Sequence, residues 1–435
     1  LGIHVINCVI CTLHQLKTAI CYIPNSTPRI QYAVEEVFVC RAGLSVTYTD
    51  NITAYISSDA PFKFHYTNEN LPGIPMYRSG FLDQKGIEVN FIPSCGRING
   101  VFCLFPDATK QQFDLLAMIF WCLSRYEEYQ PFEPDKHGRY AAYASLLQKH
   151  GVLDEPICDI AVNAMFKEWK IPVLRHFGII PTLDIDIAFA FAGRKTWRTL
   201  GGSLKNPLSL SKRLQSIVNP EADPNNSFTY IRELVENQPK TRIFWHCGSR
   251  FNQYDKQVAL DYRPFQEAVK TMDKAVHCGL HPSFAAYTDE KVLQQEKQYL
   301  ENTLNRAITD SRMHYIMLSM PHTYRSLIKA GITNDYSMGY PDTPGFRAGT
   351  SLPFFWYDLE NENSTSLRIH PFCIMEATCK HYLQHSPTEA IQAGNKIKAQ
   401  LRKTGGNFCF IFHNESLGSQ ASWKGWNSVF EAWLE

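Results

Sequence analysis

The chain has 435 residues, of which 44% are hydrophobic and 20% charged, and it carries 27 Phe, 21 Tyr and 8 Trp. That composition is too apolar for disorder, and the length suits two domains of unequal size. Lys+Arg 43 against Asp+Glu 42 leaves a net charge of +1, which excludes a global electrostatic case for nucleic acid or membrane; no apolar run reaches the roughly 18 residues of a transmembrane helix.

The N-terminal stretch LGIHVINCVICTLHQLKTAICYIP lacks a basic start and a small-residue cleavage site. No signal peptide is therefore expected and the cytoplasm is favoured, with export left open because the chain starts at Leu1. Cys8 and Cys11, with His4 and His14 nearby, imitate half a zinc site, but a single CxxC without a second pair is weak. The 13 cysteines include several inside apolar runs (Cys122, Cys373, Cys409), which suits buried reduced thiols better than a disulfide framework.

From about Tyr22 to Phe105, apolar runs alternate with Pro, Gly and Asn breaks, the pattern of a small mixed α/β region. The stripe Phe113, Leu116, Phe120, Leu123 and Glu127 predicts a helix over Lys110 to Tyr129. Its polar end, Arg125-Tyr126-Glu127-Glu128-Tyr129, reads as a solvated helix terminus before Pro131. Asp135 to Arg139 is a polar turn, and Ala161 to Trp169 a second helix. A boundary near Lys170 follows, so that residues 1–170 form an N-terminal α/β module of unknown function and 171–435 a second domain.

In the second domain strands and helices alternate. An apolar run in FGIIPTLDIDIAFAFA (Phe177 to Ala192) ends in Asp184 and Asp186, which on a strand point to one side. A basic stretch follows from Arg194 to Arg213, with Trp197 available to stack on a sugar face and the cations on an anionic carrier, though a solvated loop is as good a reading. Then come helix Phe228 to Glu236, strand Arg242 to Cys247, helix Pro264 to Lys274, strand Ala275 to His281 and helix Asp289 to Ile308. Strand Tyr315 to Met320, helix Thr323 to Ala330 and strand Ile332 to Tyr336 come next. Ser386-Pro387-Thr388-Glu389 is a capping box opening a helix that stops at Gly405-Gly406, and Asn407 to His413 is a strand. Such units predict a parallel sheet, open or closed into a barrel, with chemistry at the carboxyl ends of its strands. Asp184, Asp186, His281 and His413 all fall at such ends.

These residue types suit a metal-assisted hydrolysis. One carboxylate with His281 can hold a divalent cation, and the other carboxylate can take a proton from water. His413 is placed to protonate a leaving group, and Arg347 could orient the base by paired hydrogen bonds. No G-x-S-x-G, Walker loop, dinucleotide fingerprint or HExxH is present, so serine hydrolase, NTPase and dehydrogenase readings lose their usual support.

At this point the chain resembles the polysaccharide deacetylase superfamily, of the carbohydrate esterase 4 type with a NodB-homology domain. Thr182-Leu183-Asp184-Ile185-Asp186, Gly279-Leu280-His281, Phe346-Arg347 and Phe412-His413 resemble its motifs in order. The phrases SRYEEY, GLHPSF, DYSMGY, GFRAG and FHNESL are similar to those of a subgroup in which this domain follows an N-terminal α/β module. The resemblance implies a distorted β/α barrel and deacetylation of an N- or O-acetylated glycan or glycan precursor. It also implies Asp184 as base, His413 as acid, Arg347 as the base-orienting group, and Asp186 and His281 as ligands of a divalent metal, with zinc the first expectation. The pattern supplies a further His four residues after the first, where this chain has Ala285. One ligand is thus unaccounted for, with His246 and Ser283 as candidates. A glycan-binding protein on a degenerate scaffold is the alternative.

Overall fold

The computed structural model describes residues 17–173, 175–194, 210–248 and 251–435. The Cys8 and Cys11 pair and most of the basic stretch, Trp197 included, lie outside them. Two compact units are present, and each is interleaved in sequence. The first comprises Leu1–Pro131, Ile157–Arg175 and Phe354–Thr365; the second comprises Phe132–Pro156, His176–Pro353 and Ser366–Glu435. A single cut at residue 170 describes neither, because residues 132–156 fold with the second unit and 354–365 with the first.

In the first unit, β1 (Thr18–Tyr22), β2 (Ser45–Thr49), β3 (Phe62–Tyr66) and β4 (Ile74–Met76) form a parallel sheet in the order β2-β1-β3-β4. β5 (Cys95–Ile98) and β6 (Val101–Leu104) form an antiparallel hairpin. The predicted helix is shorter than its stripe: it runs Leu115–Ser124, with the Asp114 side chain capping Ala117 N. All ten of its residues are buried, so it is a core helix rather than an amphipathic surface one.

The polar run behind this helix is not solvated. Arg125 adopts a left-handed conformation (φ 56°), 1% exposed, and donates to Glu128 Oε1 and Glu127 Oε1 at 2.8 Å each. Buried charges persist when paired in this way. The segment 354–365 is bound into this unit by similar means. Tyr32 Oη donates to Phe355 O at 2.7 Å, Phe355 N donates to Glu36 Oε1 at 3.0 Å, and buried Arg29 pairs with Glu362.

The second unit is built on one parallel sheet. β7 is Gly178–Ile185, β8 Arg242–His246, β9 His277–His281, β10 Asp310–Ser311 and β11 Asn334–Asp335. After β12 (Phe354–Asp358, in the first unit) come β13 (Asn363–Ile369), β14 (Ile374–Met375) and β15 (Asn407–His413). The order through the unit is β13-β11-β10-β9-β8-β7-β15-β14, with every pair parallel. The expected closure into a barrel is not found among the described residues: β13 and β14 stand at opposite ends of this run. Three of its strands have only two residues, too short to carry a stagger around a barrel.

β15 reads NFCFIFH and is apolar on both faces because both are covered. Phe410 and Phe412 lie 5.4 and 5.3 Å from the Trp433 ring, and burying aromatics of this kind contributes roughly 1.5–3 kcal/mol each. The capping box forms as predicted, Ser386 and Glu389 reciprocally, on a helix spanning Pro387–Thr404. Asp289 caps the helix Glu290–Leu304. One predicted strand is corrected: Tyr315 to Met320 forms no strand, and strand pairing is made earlier, at Asp310–Ser311, ahead of a short turn His314–Ile316. That shift places His314 just past the carboxyl end of β10.

Candidate metal centre and acid–base pair

Register brings the first pair of predicted residues together. β15 pairs with β7 so that His413 lies beside Asp184, and β8 pairs with β9 so that His246 lies beside His281. All four stand at the carboxyl ends of neighbouring strands, and Asp186 follows two residues after Asp184.

Asp184 is 2% exposed. Its Oδ1 accepts from Arg312 Nη1 at 2.9 Å, and the same nitrogen donates to Thr182 Oγ1 at 2.8 Å. Thr182 in turn donates to Phe410 O at 2.5 Å, so its oxygen is free to accept from the guanidinium. Arg312 Nε donates to Tyr336 O at 2.9 Å, and the guanidinium lies 4.7 Å from the Phe244 ring. This buried cation, not Arg347, is the one held on Asp184. Arg347 is buried elsewhere, donating to Gly339 O at 3.2 Å and lying 5.3 Å from the Tyr340 ring.

Asp186 faces three imidazoles. His281 Nε2 is 3.1 Å from its Oδ1, His314 Nε2 is 3.3 Å from its Oδ2, and His413 Nε2 is 3.8 Å from Oδ2. Burial works against the charged carboxylate, but the His314 and His413 charges outweigh it and hold Asp186 well below its usual range. Burial likewise opposes a charged His314, yet Asp186 and Asp255 raise it to about 9.

Asp186, His281 and His314 each offer one ligand atom, all within 4.8 Å of one another. The second nitrogens are already used. His281 Nδ1 lies 2.6 Å from the Arg312 carbonyl, which can only accept, so the ring proton sits on Nδ1 and a neutral His281 presents the Nε2 lone pair. His314 Nδ1 lies 3.3 Å from Asp255 Oδ1. Asp186 Oδ1 is buried with no aligned hydrogen-bond donor among the described residues, although His281 Nε2 is close. Two groups that converge without a good hydrogen bond suit two ligands of one ion. One carboxylate and two outward-braced imidazoles fit zinc or a similar divalent cation.

A second grouping, His246, Asp255 and His314, is also close enough for an ion, but its hydrogen bonds are internally complete. Gly248 N donates to His246 Nδ1 at 2.9 Å, so His246 carries its proton on Nε2 and donates it to Asp255 Oδ1 at 3.1 Å. Burial lowers His246 to about 4, keeping it neutral in that role. Asp255 also accepts from Phe284 N (2.9 Å) and Asn252 Nδ2 (2.8 Å). His246 is thus linked to His314 through Asp255. Ser283 is engaged as well, its hydroxyl accepting from Ala286 N at 3.2 Å.

His413 stands apart from the trio. Its Nδ1 lies 2.7 Å from Glu376 Oε1, which also accepts from His413 N at 2.8 Å and Ser416 Oγ at 2.9 Å. Burial disfavours the imidazolium, but Glu376 and Asp186 more than offset it and hold His413 well above its usual range.

Sequence reasoning missed His314, Arg312, Asp255 and Glu376. His314 and Arg312 lay just ahead of a strand expected at Tyr315, which made them look like strand-entry residues. Glu376 ends the apolar run Phe372 to Met375, the same signal that drew attention to Asp184 and His413.

Comparison with known proteins adds the following. Residues 19–170 match a family of unknown function (DUF7033). No curated protein matches the chain. Among solved structures, a protein assigned as a polysaccharide deacetylase from Mycobacterium smegmatis is similar at 14% identity over 60% of this chain and 83% of that one, with a TM-score of 0.39. Puue allantoinase is similar at 11% identity over 60% and 83%, TM-score 0.37. A protein assigned as a polysaccharide deacetylase from Pseudomonas aeruginosa PAO1 is similar at 10% over 60% and 84%, TM-score 0.38.

Proposed function

We propose that the chain is a metal-dependent hydrolase that removes an acyl group, N-acetyl foremost, from a glycan or glycan precursor. The observation that carries this reading is the convergence of Asp186, His281 and His314 beside two hydrogen-bonded pairs, Asp184 with Arg312 and His413 with Glu376. A divalent cation, zinc first, would polarise the acyl carbonyl and lower the pKa of water. Asp186, His281 and His314 would hold it, their outer atoms fixed by Arg312 O and Asp255.

Asp184 acts as base. Arg312 occupies Oδ1, which leaves Oδ2 to take the proton from attacking water. His413 is the acid: with Glu376 at Nδ1 and its charged form favoured, Nε2 delivers a proton to the departing amine nitrogen as the carbon–nitrogen bond breaks. One proton is taken and one is given, so the site returns to its starting charge when Asp184 passes its proton back to His413 through solvent.

The glycan class rests on the motifs, the reaction type on the site. The ground for a non-catalytic glycan binder is the missing donor at Ala285, and His314 would offer a third donor from the neighbouring strand end. The test is acetate release from N-acetylated chitooligosaccharides and a panel of O-acetylated sugars, with and without zinc. Asp184→Ala and His413→Ala should each abolish release while leaving circular dichroism unchanged. Wild-type-like rates in either variant, or no release from any substrate by zinc-loaded protein, would sink the proposal.

A further inference from the structure

The turn that carries His314 has a backbone conformation that side chains resist. Tyr315 (φ 58°, ψ 12°) and Ile316 (φ 53°) are both left-handed, and neither is glycine. A β-branched residue in this region persists only where its surroundings hold it. Within the turn, Ile316 N donates to Met313 O at 3.0 Å and Met317 N to His314 O at 3.2 Å; Met313 N donates to Ser337 Oγ at 2.8 Å.

Another bond comes from far earlier in the chain. Arg139 Nη1 donates to Tyr315 O, the carbonyl directly after His314. Arg139 is 3% exposed, and its other edge rests on Asp135 Oδ2, with Nε at 2.7 Å and Nη2 at 2.6 Å. Asp135 Oδ1 is taken up by the backbone of the same turn, accepting from His137 N at 2.8 Å and Arg139 N at 2.9 Å. Gly138 (φ 82°) lets this turn close. The His137 ring then lies 5.5 Å from Tyr315 and 5.9 Å from Tyr254. Tyr254 stacks on Phe284 at 4.1 Å, whose backbone N–H holds Asp255, the carboxylate at His314 Nδ1. The polar turn thus reaches both sides of His314.

We propose that Asp135 and Arg139 form a clamp that aims His314, so that a segment outside the deacetylase-like region of the sequence completes the metal centre. The inference rests on reading Asp186, His281 and His314 as that centre. Arg139 acts through His314 and is a positioning residue. The planar guanidinium serves a carboxylate on one edge and a carbonyl on the other, a division of labour that a lysine point charge cannot reproduce.

The experiment is metal binding by the full chain, using zinc in competition with a chromophoric chelator and cobalt(II) followed by its visible absorption. His314→Ala and wild type bracket the range. Arg139→Ala should weaken zinc binding by about 10- to 100-fold, as loss of an outer partner of a ligand does, and should shift the cobalt spectrum; Arg139→Lys should fall between it and wild type. A lowered unfolding midpoint with wild-type zinc affinity and an unchanged cobalt spectrum would overturn the clamp and leave a merely structural turn. If Arg139→Ala does not fold, Arg139→Lys decides, and wild-type affinity there overturns the proposal. A wild type that takes up neither ion overturns the metal reading and the clamp with it.

Discussion

Asp335 sits on β11, fully buried, behind the site and near Arg312. It accepts from Ser337 N (2.9 Å), Ser337 Oγ (2.9 Å) and Ser311 Oγ (3.2 Å). These bonds and Arg312 favour the carboxylate, but burial dominates and pushes it from 3.8 up to about 6. The sign follows from proton counting. Between these two values the folded protein keeps a proton that the unfolded chain has released, so stability falls as pH rises through the interval. The contribution is fully present below the unfolded value and lost above about 6. A shift of about two units corresponds to about 3 kcal/mol. Asp335→Asn removes the titration while keeping the shape: its Oδ1 can accept from Ser337 N, and both serine hydroxyls can rotate to accept from Nδ2. Because the unfolded side chain is already partly ionised at pH 4, about 2.4 kcal/mol separates the two pH values, and the difference in unfolding midpoint, variant minus wild type, should be more positive at pH 7 than at pH 4 by roughly 5–10 °C, at 2–4 °C per kcal/mol. Thermal unfolding followed at both pH values checks it. A difference that is the same at pH 4 and pH 7 would refute the assignment of Asp335 as a buried acid with a raised pKa.

Three further outcomes are expected. His314→Ala should lose bound zinc by elemental analysis, whereas His246→Ala should keep the stoichiometry with affinity weakened about 10- to 100-fold, as for an outer-shell residue; the reverse ranking would make His246 the ligand. Glu376→Gln removes the charge that favours protonated His413, so the alkaline limb of the pH–rate profile should move to lower pH, and an unmoved limb would deny His413 the role of acid. Gly394→Ala would ordinarily stabilise a helix by about 1 kcal/mol. Here the added methyl would meet Trp433 Nε1 at 2.3 Å, and overpacking of about 1–3 kcal/mol should outweigh that gain. Denaturant unfolding should show a lower midpoint, and a higher one would mean that Trp433 moves aside freely.

What the sequence made legible was whatever is encoded locally. Asp184 and Asp186 are two residues apart on one strand, the capping box at Ser386 is four consecutive residues, and His281 and His413 close unmistakable apolar runs. What stayed hidden depends on partners brought in by the sheet. Arg312 was unreadable as the partner of Asp184 because that contact joins residues 128 apart in sequence, whereas Arg347 sat in a phrase that invited the role. Short strands were the second source of error. A two-residue β10 leaves no periodic signal, so the sequence pattern places the extended stretch after His314 instead of before it, and the proposed third donor is hidden by a boundary error rather than by unusual chemistry. The charged phrase at Arg125 failed for a related reason: composition marks it as polar, but burial is decided by Glu127 and Glu128 lying close enough to pair with it.

The same logic bears on Ala285. A motif fixes where a histidine is expected along the chain, but a cation requires only that a nitrogen arrive at a point in space. His281 ends one strand and His314 follows the end of the next, and adjacent parallel strands are ~4.8 Å apart, so side chains from the two ends can bring their donor atoms to one point. A donor moved from the turn after β9 to the turn after β10 can therefore reach nearly the same point, provided something aims it. On the proposed reading that role falls to Asp255 on one nitrogen and to the backbone bonds on the left-handed turn at Tyr315. On the proposed reading, one ligand source replaces another, and this is legible only as a pair: the missing histidine at 285 together with the braced one at 314.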